Sequence, residues 1–520
     1  VIADSQYEHE VRSVIGCAKL MRKLGKQSWE MLFAGTLSGL AWAPISWWPL
    51  GLIGWVWWMA SITQGDQQRV FLHSLLFTGT SWLIAFHWLA FHPILTAAVT
   101  SLVALLAFSC FFAAIAALLI PSLPESRPVL RLMAGLTSML LFEMAVSWGP
   151  FAMPSLSAGF AFTPGLWAIA VSSWVGIKGV SAAVGLVGAL GAWLLVGFDK
   201  KTPAIMGITG AALSALIIIP LLSGPEPEAT SDPGIRIQLV QPNASPEAWS
   251  DVHDINRVNE LRLLVEQADY DTNRIHLTVF PETALPLGGD SDIRLWINEL
   301  STSASSPVLT GGIEFSDGSL ARNVAYLSSD SSKRHAKMRL VPFAEHVPFS
   351  NLIPGFERFA VPSGGVEGYE PGTSRPLLTV PIDGGQGQPT VSVVPLICFE
   401  SLFLRDARTA LLNGGDLSVV ITQDGWWGSD RARSQHRAFS QLLAVATGHP
   451  VIHATVDGES ALIGIDGALI PLQSVTSSLL RGQLPLTSRT TVFMRAGNAP
   501  FFGIFGALLV LLFAGRNRDS

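Results

Sequence analysis

The chain has 520 residues, 49% of them hydrophobic and only 14% charged, with a mean hydropathy of +0.41. Soluble domains carry about 25% charged residues, so the balance excludes an ordinary soluble protein and implies an integral membrane protein. The net charge of −6 gives no footing for nucleic acid, and the absence of a Walker motif, a dinucleotide glycine fingerprint or zinc-ligand spacing predicts no cofactor and no metal.

In chain order, residues 1–29 read as a polar tail carrying Lys19, Arg22, Lys23 and Lys26. Within it Val14-Ile15-Gly16-Cys17 has the form of a lipoprotein cleavage box, but Glu8 and Glu10 stand where an apolar run is required, so it is not read as one. Residues 30–223 are nearly free of charge. A crossing helix needs about 20 apolar residues, and spans are predicted near 30–44, 48–63, 70–91, 94–120, 130–147, 179–197 and 204–222, with an eighth at 499–515. Trp47, Trp48, Trp55, Trp57 and Trp58 are expected to form an aromatic belt. Glu143 falls inside a span, where a carboxylate is either paired or functional. Lys178 stands at a span edge and is expected to snorkel to phosphate. His73, His87 and His92 are expected to be interfacial or packed.

Loop cations set orientation. Arg69, then Arg127 and Arg131, then Lys200 and Lys201, then Arg516 and Arg518 share one side with the basic tail, while the opposite loops hold only Lys178. Both termini are therefore predicted cytoplasmic and the domain after the seventh span external, which in a bacterium is the periplasm. The proline-rich stretch 224–234 is a linker. Residues 235–492 form the external domain, and 493–520 the last span and a short tail.

In that domain Val- and Ile-rich runs predict strands at 235–241, 276–281, 308–313, 324–328, 391–398, 417–422, 451–455 and 461–465, with helices at about 250–268, 291–303, 402–413 and 431–446. Strands alternating with helices imply an α/β fold. Glu282, Cys398 and Asp424 fall at strand ends, where such folds carry their chemistry. Among the three cysteines, Cys17, Cys110 and Cys398, only the last lies in this domain, so no internal disulfide is expected there.

Cys398 as a nucleophile needs a base or a nearby cation. Glu282 is a candidate base. Lys337 is a candidate for stabilising the thiolate and the oxyanion, together with the backbone N–H of Phe399, and Glu345 and Glu400 are candidates for orienting Lys337. Each has an ordinary reading when taken alone. Cys398 is then a core residue, Glu282 a helix cap, Lys337 a solvated cation beside Arg334 and Arg339, and Glu345 a loop carboxylate.

Three segments together resemble one family. Phe280-Pro281-Glu282-Thr283-Ala284-Leu285-Pro286 is close to Trp-Pro-Glu-(Ser/Thr)-Ala-hydrophobic-Pro. Leu340-Val341-Pro342-Phe343-Ala344-Glu345-His346-Val347-Pro348 and Ile397-Cys398-Phe399-Glu400 follow Leu-Val-Pro-Phe-Gly-Glu-(Tyr/His)-Val-Pro and Ile-Cys-Tyr-Glu. The external domain thus resembles the nitrilase superfamily, and with its spans the chain is similar to the apolipoprotein N-acyltransferases. The resemblance implies an α-β-β-α sandwich beside about eight spans, with a Glu282-Lys337-Cys398 triad. It also implies substrate-side roles for Trp249, Asn323, Trp426 and Trp427. It further implies a phospholipid acyl donor, typically phosphatidylethanolamine, a diacylated apolipoprotein acceptor, and a monomer in the bacterial inner membrane. Phe399 stands for the family Tyr, Gln423 for Asn, and Ala446 and His449 for a Glu and an Arg. A membrane-bound amidase with water as acceptor and a non-catalytic paralogue stand beside the transferase as readings.

Overall fold

A computed structural model describes residues 28–91, 95–162, 166–196, 234–245, 248–249, 251–266, 274–315, 320–330, 332–350, 352–353, 368–382 and 389–516. The tail with Cys17, His92, the span at 204–222 and all but the last residue of the linker lie outside them.

Uniform apolarity without periodicity makes helices that bury on every side, and among the described residues the first part of the chain holds α1 at 28–39, α2 Trp48–Ser61, α3 Gln67–Ala85, α4 Leu95–Leu119, α5 Pro128–Ala145 and α6 Leu166–Val196, with a single helical turn at Ala158–Ala161. Proline in the first turn opens α2 and α5. Asp66 caps α3 by accepting from the Arg69 N–H at 2.9 Å. Among the described residues three stretches, Ala97–Leu119, Pro128–Ala145 and Ala170–Val196, are long and apolar enough to cross a bilayer, and Ala499–Gly515 is a shorter apolar helix.

Several expectations change here. The predicted spans at 48–63 and 70–91 hold helices of 14 and 19 residues, the second followed by a 3-10 turn at His87–Phe91. The helix expected from 179 begins at Leu166 and bends at Gly176 (φ 65°), where the Phe493 ring sits 2.6 Å from where a Cβ would stand. Trp55 and Trp58 do not join a belt. Both are buried in the bundle, where Trp58 donates to Ser74 Oγ at 3.1 Å, whereas Trp47 is exposed. Arg131 is buried too, donating to the carbonyls of Leu123 (3.0 Å) and Gly65 (2.9 Å) and so fastening two loops. Glu143 is paired inside the bundle. Its carboxylate accepts from Ser157 Oγ and from the Ala158 N–H at 2.8 Å, which caps the turn Ala158–Ala161.

The second half forms two stacked sheets. The first has the order β13-β14-β1-β2-β4-β5-β6, with β3 beside β4; the second is β12-β11-β10-β9-β8-β7. The strands are β1 Ile235–Val240, β2 Leu277–Val279, β3 Leu285–Gly288, β4 Val308–Glu314, β5 Arg322–Leu327, β6 Arg334–Ala336, β7 Leu378–Pro381, β8 Thr390–Ile397, β9 Leu417–Thr422, β10 Val451–Thr455, β11 Ala461–Ile463, β12 Leu469–Ile470, β13 Gln473–Ser474 and β14 Leu479–Leu484. The pairs β1–β2, β2–β4, β8–β9 and β9–β10 are parallel. Parallel strands bury both faces, and alternation assigns them. Ile235, Ile237 and Leu239 meet Val391 and Val393 between the sheets. Val240 faces out toward α7 Asn256–Glu266 and α8 Asp290–Ala304. On the second sheet, Val394 and Leu396 face α9 Leu404–Leu412 and α10 Asp430–Thr447.

That outer face of the second sheet is continuous with the helical bundle. Phe399, Phe403, Phe439 and Phe493 share one apolar core with Phe160, Val175 and the bundle interior. Gln435 on α10 fastens the joint. Its amide donates to the carbonyls of Ala43 (3.1 Å) and Ala85 (3.0 Å) and accepts from Trp88 Nε1 at 3.2 Å. The chain ends in α11, Ala499–Arg516, packed against α5 and α6.

Candidate active site

Pro281 ends β2, and Glu282 stands on the turn before β3 rather than capping a helix. The turn places Thr283 at φ 53°. A Cβ on Gly311 would come within 2.7 Å of the Glu282 Cα, so only glycine lets β4 pass this close. The Glu282 carboxylate is 5% exposed and filled on both oxygens. Oε1 accepts from Asn323 Nδ2 at 2.7 Å and from Lys337 Nζ at 3.1 Å, and Oε2 accepts from the Gln423 N–H at 3.0 Å.

Lys337 directly follows β6, whose register is held by its own N–H to Asn323 O at 2.8 Å. At 1% exposure it is no solvated surface cation. Its ammonium lies between Glu282 and Glu345, the latter at 2.7 Å, and Glu345 in turn accepts the Val341 N–H at 2.9 Å. Burial works against the charge on Lys337, but the Glu282 and Glu345 carboxylates outweigh it and hold Lys337 well above the usual lysine range. Burial pushes Glu345 up, against the pull of Lys337.

Cys398 ends β8 and opens a 3-10 turn, Cys398–Leu402, in the left-handed region at φ 50°. Such strain in a non-glycine residue persists only where the surroundings over-determine it, and here they do. The Glu400 carboxylate accepts from His335 Nε2 (2.7 Å), Arg375 (2.6 Å) and the N–H groups of Ile397 and Met338 (2.9 Å each), so one buried anion ties the cysteine turn to the lysine strand. Glu400, expected to orient Lys337, instead reaches the backbone beside it, while the ammonium goes to Glu282 and Glu345. Burial favours the neutral acid, but His335 and Arg375 prevail and hold Glu400 far below the carboxylate range. On the other side His436 Nε2 lies 3.3 Å from Cys398 O and 3.0 Å from Ser401 Oγ, while its Nδ1 bonds Asp424 at 2.6 Å. Burial first, then Glu282, drive the Cys398 thiol well above its ordinary value, with Lys337 opposing. Phe399 N–H belongs to the first turn of the 3-10 helix, whose opening donors have no carbonyl within the helix.

Cys398, Glu282 and Glu345 line a cavity of about 200 Å³ together with Trp249, Asn323, Trp426 and Trp427, so all four residues assigned to the substrate side border it. Trp249 is pinned from behind, donating Nε1 to Glu282 O at 3.1 Å with the Arg257 guanidinium 4.7 Å over its ring. Asn323 Oδ1 and Gln423 Nε2 are buried with no partner among the described residues. Gln423 also caps its own turn, accepting from the Trp426 N–H at 3.0 Å. The far wall comes from α4 and is mainly apolar, with Ala97, Ala104, Leu105 and Phe108 beside the hydroxyls of Thr100 and Ser101. At the two remaining departures, Ala446 is buried with its carbonyl accepting from Thr491 Oγ1 at 2.7 Å, and His449 Nδ1 turns to Thr447 O at 2.8 Å.

His335, Arg375, His436 and His453 were not singled out from sequence. Nothing local marks them; only a buried anion in the folded chain gives each a partner. The ligand-capable atoms of Asp424, His436 and His453 lie within 4.8 Å of one another. His453 Nδ1 also meets Ser440 at 2.9 Å, so both rings are engaged by hydrogen bonds without an ion. The two histidines bring Asp424 far below its ordinary range despite its burial.

Two sheets with these groups at the strand ends define the class: the carbon–nitrogen hydrolase family profile matches residues 237–490. A second profile, for the apolipoprotein N-acyltransferase N-terminal domain, matches residues 34–190. An apolipoprotein N-acyltransferase of Shewanella oneidensis is 24% identical over 73% of each chain, and one of Ralstonia nicotianae is 27% identical over 94% of this chain and 92% of that one. An amidase structure from Nesterenkonia sp. has a TM-score of 0.36 at 16% identity, covering 53% of this chain and 97% of that one. The chain belongs to the apolipoprotein N-acyltransferase family.

Proposed function

We propose that this chain moves an acyl group from a phospholipid, typified by phosphatidylethanolamine, through a thioester on Cys398 to the N-terminal amine of a diacylglyceryl-cysteine apolipoprotein. The single observation that carries the reading is the cavity itself. It has a buried Glu-Lys-Glu cluster with the cysteine on one side and the apolar flank of α4 on the other.

In the first half-reaction Glu282 takes the thiol proton as Sγ attacks the ester carbonyl carbon. The oxyanion forms against the Lys337 ammonium and the Phe399 N–H. Collapse breaks the acyl carbon–oxygen bond, and Glu282 returns the proton to the departing lysophospholipid. In the second, the amine attacks the thioester carbonyl, Glu282 takes its proton, and the carbon–sulfur bond breaks as Glu282 returns that proton to sulfur and restores the thiol. Glu345 holds Lys337; no cofactor or metal enters. Trp249, Asn323, Trp426 and Trp427 shape the substrate side.

The same reading sets the chain in the inner membrane as a monomer, with termini cytoplasmic and residues 235–492 periplasmic. The tail runs over 1–29, the bundle over 30–223, the linker over 224–234 and the last span with its tail over 493–520. The loop cations support the orientation.

The test is intact mass after incubation with phosphatidylethanolamine, followed by a diacylated lipopeptide. An acyl adduct on Cys398 that passes to the peptide is the expected result. Fatty acid as the only acyl product would replace the transferase with a hydrolase.

A further inference from the structure

Behind the wall made by Leu402 and Phe403, a second cavity of about 290 Å³ lies between the helical bundle and the catalytic domain. It contains neither Cys398 nor any member of the cluster around Lys337. Three cations, Lys178, Arg339 and Arg405, face it against one carboxylate, Asp406. Asp406 is already taken, paired with Arg339 at 2.7 Å. Lys178 and Arg405 make no ion pair among the described residues.

Lys178 is the unusual member. It is 5% exposed, yet its ammonium makes one long hydrogen bond, 3.4 Å to the Glu143 carbonyl, and otherwise lies 5.9 and 5.7 Å from the ring centroids of Trp148 and Phe501. The Glu143 carboxylate acts on it only through space and makes no ion pair with it among the described residues, its oxygens being committed to Ser157 and Ala158. An ammonium has three donors, and leaving them unfilled in a buried site is costly. The cavity border supplies a second cation and apolar surface from Trp148 and Phe493, which suits a charged headgroup joined to a hydrocarbon body.

We propose that this cavity binds the phosphate of a membrane phospholipid, with Lys178 and Arg405 on its oxygens, as a site separate from the acyl cavity at Cys398. The proposal rests on the membrane setting argued above and is independent of the thioester chemistry. Lys178 gives a point charge, and the Arg405 fork gives the bidentate contact that phosphate accepts. The apolar border selects a lipid over free phosphate.

The experiment counts bound lipid by native mass spectrometry of the full chain in detergent, on a Cys398→Ala background so that nothing turns over. The probes are dioleoyl phosphatidylglycerol, dioleoylglycerol and inorganic phosphate. The Cys398→Ala chain should retain one more phosphatidylglycerol than the same chain carrying Arg405→Gln or Lys178→Gln. Each substitution should weaken that lipid about tenfold, and Lys178→Arg should restore it. Dioleoylglycerol should not fill the site. Arg405 is exposed on α9, so its variant keeps the test open if the Lys178 variant does not fold. A lipid count unchanged by both substitutions, or equal retention of dioleoylglycerol, overturns the site; displacement of the lipid by equimolar inorganic phosphate overturns the lipid occupant. A failed acyl-transfer reading would appear as a missing Cys398 adduct in the unsubstituted chain, and it leaves this count untouched.

Discussion

On one side the thiol cavity is walled by Glu282, Asn323 and Glu345, all buried and bonded to neighbours from three different strands or loops. On the other it is walled by one face of the single helix α4, Ala97, Ala104, Leu105 and Phe108, with Thr100 and Ser101 as its polar members. The polar wall is over-determined: each charge has at least two partners, and Lys337 answers to two carboxylates at once. The apolar wall is fixed only by packing, which tolerates exchange of similar volumes. On the function proposed above, one wall sets the chemistry and the other sets which acyl chain reaches it. A carbon–nitrogen hydrolase has need of the first; a bilayer substrate calls for the second.

The comparison can be broken most forcefully at the sulfur. Cys398→Ala should abolish the acyl adduct and lower transfer by at least about a thousandfold, read by intact mass and by transfer to a lipopeptide; residual transfer near the parent rate would remove the polar wall from the reaction. Glu400→Gln should cost about 3–5 kcal/mol of stability at neutral pH, because Arg375 loses its buried counter-charge, measured as a shift in denaturation in detergent. The pH dependence has a definite sign. Glu400 is held below its ordinary value, so its contribution is fully present above the unfolded carboxylate value of about 4.3 and is lost as pH falls through the lower folded one. The gap between parent and variant should therefore close on acidification.

Lys337→Met removes one oxyanion donor and should lower the acylation rate by about 10²–10³-fold, seen in single-turnover labelling with phosphatidylethanolamine. The smallest effect belongs to the apolar wall. Ala104→Phe should slow acylation by long-chain donors about tenfold while leaving alkylation of Cys398 by a small electrophile unchanged. Equal losses for both reagents would mean that the two walls do not divide the work.

Much of the polar wall was legible in the sequence because each carrier stands in a short local motif at a strand end: Pro281-Glu282, Glu345 in its Pro-flanked loop, and Cys398-Phe399-Glu400. The β9 and β10 strands also fell where Val and Ile runs put them. What fastens the motifs was not legible. Glu400 meets His335 across 65 residues, and His436 reaches Cys398 across 38, so neither pair leaves a trace in any window. Short strands such as β3 and β6 carry too few residues for a period to appear. The tryptophans of α2 misled for another reason: composition cannot say whether an indole meets lipid headgroups or a neighbouring helix, and Trp58 meets Ser74.

Gln435 carries a consequence for anyone who would express the catalytic half alone. Its amide is satisfied entirely by the bundle, through Ala43, Ala85 and Trp88, and the Phe439 ring one turn on packs tilted against Phe160 with centroids 4.4 Å apart. Cut free, residues 235–492 would hand those three hydrogen bonds to water and expose a broad aromatic patch, the kind of surface that self-associates. The boundary between the two halves is one of sequence and not of solubility, and the enzyme has to be purified whole.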